Sequence, residues 1–516
     1  MENTVANTRK SPLWLLALVV SLPTFFAFLA TSATNVALLH IAGAFGSTSD
    51  EAKWVVTSYM IANGVFLPLT GWLERTLGRL NFLKIFLLLF TIGSVICSLA
   101  PNLLTLIFGR IVQGVGGGVL MPMSQSILLQ EFPPDRKGDA MSIFILATMV
   151  SSICGPTVGG YLVDNLSWQW IFIINIPVGI LSLIFIPMIV NDTPRTVEKG
   201  STDFEGIIFL ILWLFSMQVV LDKGQQYGWF DCTWIRWTSL FSFFCMLLFV
   251  VWELEVKKPV VDLRVFKNIN FLIGTILGSC VNVMVFSTVI LLPQFYQGLM
   301  GYTASATGLV MGSRVFSCLT LVFVGKLCSV YNPKILIALG FMLLGSSMTM
   351  FINFNMQVSP ITIIIPNVVF GLGVVLAIVP ISAVALCSLP KEITPSAAGI
   401  HSLCKCVMGS IGTSLASSFI IGLSQVHQNY LIKNMTENNL VFLKHFSHFQ
   451  KFFLAHGDII SASRKANVLL YKQLLAQAKL CAISDIFLII ATIAFTAVVI
   501  VFFLQNKKNE NESEKA

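Results

Sequence analysis

Apolar residues along this chain come in long blocks separated by short polar punctuation. Fourteen blocks are long enough to cross a hydrocarbon core, which takes about 20 residues of helix. They fall at residues 13–38, 52–73, 82–100, 104–129, 138–162, 168–190, 204–222, 233–253, 270–293, 304–325, 335–353, 360–389, 398–424 and 482–504. A helix satisfies its own backbone donors and acceptors, which lipid cannot do for it. The pattern therefore predicts an all-α polytopic membrane protein with 14 transmembrane helices, and an even count puts both termini on one side. The first block follows Arg9 and Lys10 as a signal peptide would. It is long and further spans follow it, so it reads as a retained first span.

Composition agrees. Of 516 residues, 56% are apolar and 11% charged, against about 25% charged in soluble domains. A net charge of +8 raises nucleic-acid binding as a question. The bases answer it, being spread over short loops rather than gathered into a stripe. With both termini inside, 19 bases fall in inside segments and 3 (Lys53, Lys223, Arg236) in short outside loops. The long outside segment 425–480 holds 7 more, and long loops weigh little in the positive-inside bias. Arg110, Arg314 and Lys405 remain, inside spans. Most of the 11 cysteines lie in apolar runs and read as small packing residues. Cys404 and Cys406 would face different sides of a helix. Segment 425–480 carries four histidines without a strong metal spacing and reads as an extracytoplasmic helical hairpin. The charged tail 505–516 reads as disordered.

Three short patterns carry the chemistry. Gly71, Glu74, Arg75, Gly78 and Arg79 form a Gly-flanked, charged turn between spans 2 and 3, with a degenerate echo at Gly325 to Lys334. That recurrence suggests an internal duplication, common among transporters. Arg110 and Gln113 precede Gly114, Gly116, Gly117 and Gly118 in span 4. A charge there costs about 2.5–3.5 kcal/mol on insertion scales and needs a partner or water. Gly155, Pro156, Gly159 and Gly160 in span 5 permit a bend and close helix packing. Gating and plain packing both fit.

At these residues the chain resembles the major facilitator superfamily, and within it the fourteen-span drug/proton antiporters of EmrB type. Leu29 to Ala37, Pro122 to Ser126, Trp168 to Gly179, Leu221 to Gly224, Pro259 to Leu263, Leu292 to Gln297 and Gly409 to Ser414 look like that family's elements, in the same order. The resemblance implies two six-helix bundles at 1–190 and 266–504, an inserted pair of spans at 191–265, and the loop 425–480 within the second bundle. It implies export of amphipathic compounds by alternating access, driven by a proton or other ion gradient and without a cofactor. In a Gram-negative envelope it further implies an inner-membrane location with a periplasmic adaptor and an outer-membrane channel.

One departure stands out. The family's span-1 element usually carries an Asp where this chain has Ala30, and no acid falls in mid-membrane. His401 and Lys405 share a face of span 13 and are the titratable alternative. Asn35, Arg110, Gln113, Arg314, His401 and Lys405 are therefore the candidates for the transport path. Asn282, Gln294 and Asn367 are further polar residues within spans. The positive interior also fits an anionic substrate, such as a siderophore or fatty acid, moved without carboxylate-based coupling. A non-transporting receptor on the same fold is the remaining alternative. No Walker motif, His-Glu-x-x-His or Gly-x-Ser-x-Gly occurs, which argues against an enzyme.

Overall fold

The computed structural model describes residues 12–133, 136–190, 203–256, 259, 261–302, 304–318, 320, 324, 327, 331–387, 389, 393–433, 435–436, 439–454 and 459–505. Among them every regular element is helical. The first six long helices are α1 (Leu13–Phe45), α2 (Trp54–Leu77), α3 (Arg79–Ser98), α4 (Leu103–Glu131), α5 (Lys137–Asn165) and α6 (Asn175–Ile189). Next come α7 (Phe204–Lys223) and α8 (Thr233–Glu255). Then follow α9 (Ile269–Tyr296), α10 (Ala304–Gly312), α11 (Pro333–Ile352), α12 (Pro360–Cys387), α13 (Thr394–Ile432), α14 (Leu440–Leu454) and α15 (Ile459–Val501).

Local chemistry sets the helix ends. Asn102 accepts from the Thr105 amide at 2.8 Å and opens α4. Asp203 accepts from Gly206 at 2.9 Å and opens α7. Asn268 and Asn332 do the same for α9 and α11, with Pro333 at the first position of α11. Gly46 (φ 59°) closes α1 in the left-handed conformation that glycine adopts without strain.

Eleven helices among the described residues are long and apolar enough to cross a membrane. Three predicted spans are not among them. Helix α2 has 24 residues but its apolar stretch is Trp54–Leu67. Helix α5 has 29 residues. Span 10 is broken: α10 stops at Gly312, Ser313 and Arg314 form a turn, and a further helical turn covers Val315–Cys318. Two predicted boundaries are corrected. Helix α15 begins 23 residues before the predicted start of its span, and α13 runs 8 residues past its predicted end. The α15 continuation is rich in Ala, Leu, Lys and Gln, which favour helix, and the α13 continuation is held to α15 by His427–Asp485 and Gln428–Tyr471 contacts. Residues 191–202, 506–516 and the Gly325–Lys326 echo lie outside the described residues.

The packing is repeated. Helix α1 packs on α5 and α6, α3 on α4 and α6, and α2 on α4. Helix α9 packs on α13 and α15, α11 on α12 and α15, and α10 on α12. The second set is the first shifted by eight spans, with α15 in sixth place because the hairpin intervenes. Helices α7 and α8 pack on each other. The two sets meet where α2 touches α13 and α5 touches α10.

Candidate functional site

Arg110 is fully buried on α4. Its Nε donates to the Val55 carbonyl at 2.9 Å, and its Nη1 donates to Gln113 Oε1 at 2.6 Å. Gln113 Nε2 in turn donates to Ser94 Oγ on α3 at 2.8 Å. The guanidinium lies 4.2 Å from the Tyr59 ring centroid on α2 and 5.7 Å from that of Phe172. Such stacking is worth about 2 kcal/mol when desolvated. Nη2 has no partner among the described residues. The span-4 glycines make this possible. A Cβ on Gly116 would collide with the Phe90 amide of α3, and one on Gly114 would sit 2.6 Å from the Tyr59 carbonyl.

A second buried guanidinium belongs to Arg314, at the break of span 10. Nε donates to Asn367 Oδ1 at 3.1 Å and Nη1 to Thr288 Oγ1 at 3.3 Å. Asn367 Nδ2 donates to the Tyr296 hydroxyl at 3.0 Å. The Phe370 ring of α12 lies 4.3 Å from the guanidinium carbon. Again Nη2 is left without a partner among the described residues. The helix break is thus occupied by a cation that ties α9, α10 and α12 together.

His401 and Lys405 lie one turn apart on α13, over Gly278 of α9. A Cβ on Gly278 would fall 3.1 Å from His401 Cε1 and 3.4 Å from Lys405 Cδ. His401 is buried, with Nδ1 3.1 Å from Thr275 Oγ1. Lys405 is half-buried. Asn35 stands apart from these groups, exposed on α1. Asn282 donates to its own helix at Gly278.

The predicted charged turn is corrected: Gly71, Glu74 and Arg75 lie in the last turns of α2, and only Gly78 separates α2 from α3. Gly78 has φ 78° and ψ 149°, which favours glycine, and it hands the chain from α2 to α3. Arg79 is 1% exposed and its Nη1 reaches Glu131 Oε1 at 3.3 Å, joining the start of α3 to the end of α4. Glu74 is half-buried, and the side-chain surroundings of Gly71 and Arg75 lie outside the described residues. In α5, a Cβ on Gly155 would strike the Ser32 Cβ of α1, and one on Gly159 would lie 2.7 Å from the Ala33 Cβ. Gly160 faces only Val36 Cγ1 at 3.9 Å. Pro156 sits inside a continuous α5.

Sequence reasoning missed Tyr59, Ser94, Thr288, Tyr296, Phe370 and Thr275. Each looks like ordinary span content until a cation is placed beside it. It also missed two acids with structural duties. Trp252 Nε1 donates to Asp203 Oδ1 at 2.7 Å, and the Val261 amide donates to the fully buried Glu253 at 3.3 Å. Just past the predicted end of span 13, His427 Nε2 lies 2.7 Å from Asp485 Oδ2 at the start of predicted span 14, linking α13 to α15.

Comparison with known proteins fits this arrangement. Residues 20–413 match the family model of the Major Facilitator Superfamily. The chain is 30% identical to the probable multidrug resistance protein EmrY of Escherichia coli (strain K12) over 443 residues, 86% of each chain. It is 30% identical to the multidrug export protein EmrB of Haemophilus influenzae, covering 82% of this chain and 84% of that one. Identity to the fatty acid resistance protein FarB of Neisseria gonorrhoeae is 29%, covering 81% and 83%. Among solved structures, a bacterial homologue of the human lysosomal transporter Spinster, inward-facing and unoccupied, superposes with a TM-score of 0.55. It covers 96% of this chain and 99% of its own at 15% identity, a likeness of fold.

Proposed function

Since the chain belongs to the major facilitator superfamily, and so is a multi-pass membrane transporter rather than an enzyme, we propose that it exports amphipathic drugs or metabolites by alternating access. The observation that carries this reading is Arg110. It is held by the Val55 carbonyl, Gln113 and the Tyr59 ring, with one nitrogen still unpartnered among the described residues. A guanidinium fixed between helices that must move, in a chain similar to two multidrug proteins over most of its length, is suited to a transport path.

The recurring helix pairs support two six-helix bundles at 1–190 and 266–504, with 191–265 inserted between them. The excess of bases in alternate loops supports cytoplasmic termini in an inner membrane. On that orientation α13 and α15 protrude outside. Helix α15 has 43 residues, or about 64 Å at 1.5 Å per residue, against about 30 Å of hydrocarbon. Helix α14 packs on it and leaves Val441 and Phe452 exposed. This projection would suit an adaptor leading to an outer-membrane channel.

A second reading is favoured by charge. Arg110, Arg314 and Lys405 place three cations within spans, and the chain is similar to a fatty acid resistance protein. The substrate would then be an anionic amphiphile. Energised everted vesicles, challenged with lipophilic cations, fatty acids and a carboxylate siderophore, separate the two. Protein-dependent uptake of any of these supports export, and the responding member fixes the charge class. Silence across the panel in vesicles rich in folded protein would remove the exporter reading.

A further inference from the structure

We propose that His401 Nε2 is the atom that takes up and releases the coupling proton, so that the titratable group of this transporter sits on the α9–α13 pair. The inference rests on the exporter reading above and adds the residue that would carry its coupling proton.

On α1 and α5 the titratable His40, Tyr161 and Asp164 are exposed towards the helix ends, and the described close contacts are made by small residues. Ala30 is 1% exposed, Gly155 and Gly159 close on Ser32 and Ala33, and the Thr34 hydroxyl donates to the Ala30 carbonyl. The equivalent α9–α13 pair is built differently. Its His401 is 2% exposed, its Nδ1 is fixed by Thr275, and its Nε2 has no partner among the described residues. The ring lies against Gly278, with the Phe271 ring 6.4 Å away. A proton is the smallest charge such a packed position can take up.

Four acids in or near the spans are engaged. Glu131 meets Arg79, Asp203 meets Trp252 and Gly206, Glu253 meets Val261, and Asp485 meets His427. Around His401, the described contacts bring one charged group, Lys405, one turn on along α13. Helix α9 presents Thr275, Gly278 and Phe271, none of which titrates. When the α9–α13 seam opens to one side, water delivers a proton to Nε2 and the ring becomes an imidazolium beside Lys405. Opening to the other side returns that proton to water. A second positive charge next to Lys405 is costly within the seam, which favours return of the proton once water reaches Nε2 from the other side.

The test uses the full-length protein in proteoliposomes with an imposed pH gradient and a substrate found in the vesicle panel. Wild-type substrate exchange without a gradient tests the exporter reading by itself. If wild-type exchange occurs but ignores the gradient, the inference is overturned and the exporter reading stands. With a gradient-sensitive wild type, His401→Gln is expected to lose at least tenfold in gradient-driven accumulation, and wild-type accumulation in this variant overturns the inference. Lys405→Gln is expected to move the pH of half-maximal transport upward, because the ring loses its cationic neighbour. An unmoved midpoint overturns the inference even where His401→Gln fails to reach the membrane.

Discussion

Helices α1–α6 and the set α9–α13 with α15 share a packing plan but not its chemistry. Each set stacks a guanidinium on an aromatic ring between its second and fourth helices. In the first set the fourth helix supplies Arg110 and the second supplies Tyr59. In the other set the roles are exchanged, with Arg314 from span 10 and Phe370 from α12. The slot recurs with its contributors exchanged. The seams between first and fifth helices have diverged further. One is a close contact of Gly155 and Gly159 with Ser32 and Ala33, and the other carries Thr275, His401 and Lys405. Packing geometry and chemical duty are therefore separable in this fold, since a shared helix crossing constrains side-chain size more than charge.

The largest expected effect comes from removing the first stack. Arg110→Ala deletes two charge-assisted hydrogen bonds and leaves the Gln113 side chain and the Val55 carbonyl short of a partner. Hydrogen bonds to charged groups contribute about 1.5–3 kcal/mol each. Transport is expected to fall at least tenfold while the protein still inserts, read as substrate accumulation against the amount of protein in the membrane. Near-normal transport would reduce the α4 arginine to a packing residue and leave Arg314 as the one guanidinium with a transport role.

How much of this could be read in advance follows the same division. The spans, the recurring halves and the cations within spans are written in long apolar blocks and in charges that interrupt them. Arg110 and Arg314 were visible because a charge in an apolar run is costly wherever it points. Their partners were not, because Tyr59 and Phe370 in an apolar run look the same whether they face lipid or a guanidinium. Glu253 and Asp203 were hidden for a related reason. At a span end an acid is unremarkable, and only the fold shows that Trp252 and Val261 close over them. The length of α15 escaped because hydropathy marks where lipid begins, whereas the helix continues through polar sequence into water.

The seams give the next effect. Gly155→Ala drives a Cβ into the Ser32 Cβ at the root of its side chain, where no rotamer can relieve it. Overpacking of this kind costs about 1–3 kcal/mol. Gly278→Ala meets the His401 ring edge at 3.1 Å and the Lys405 stem at 3.4 Å, and side chains can shift by tenths of an ångström. Thermal denaturation in detergent should therefore rank Gly155→Ala well below Gly278→Ala, while the pH profile of transport should change only for Gly278→Ala. Equal melting losses with no change in either pH profile would mean that the α9–α13 seam is as much a packing contact as its counterpart.

The smallest effect belongs to Gly160, the last glycine of the span-5 pattern and the one that tells packing from flexibility. A Cβ there meets only Val36 Cγ1 at 3.9 Å, an ordinary van der Waals distance, and the residue lies in regular helix. If Gly160 serves close packing alone, Gly160→Ala should leave stability and transport unchanged. Alanine is a better helix former than glycine by about 1 kcal/mol, so a small gain in thermal midpoint is the expected reading. A fall in transport with an unchanged or higher midpoint would show that α5 must bend at this position during the cycle. It would then place the moving hinge in the α1–α5 pair, opposite the seam that carries His401.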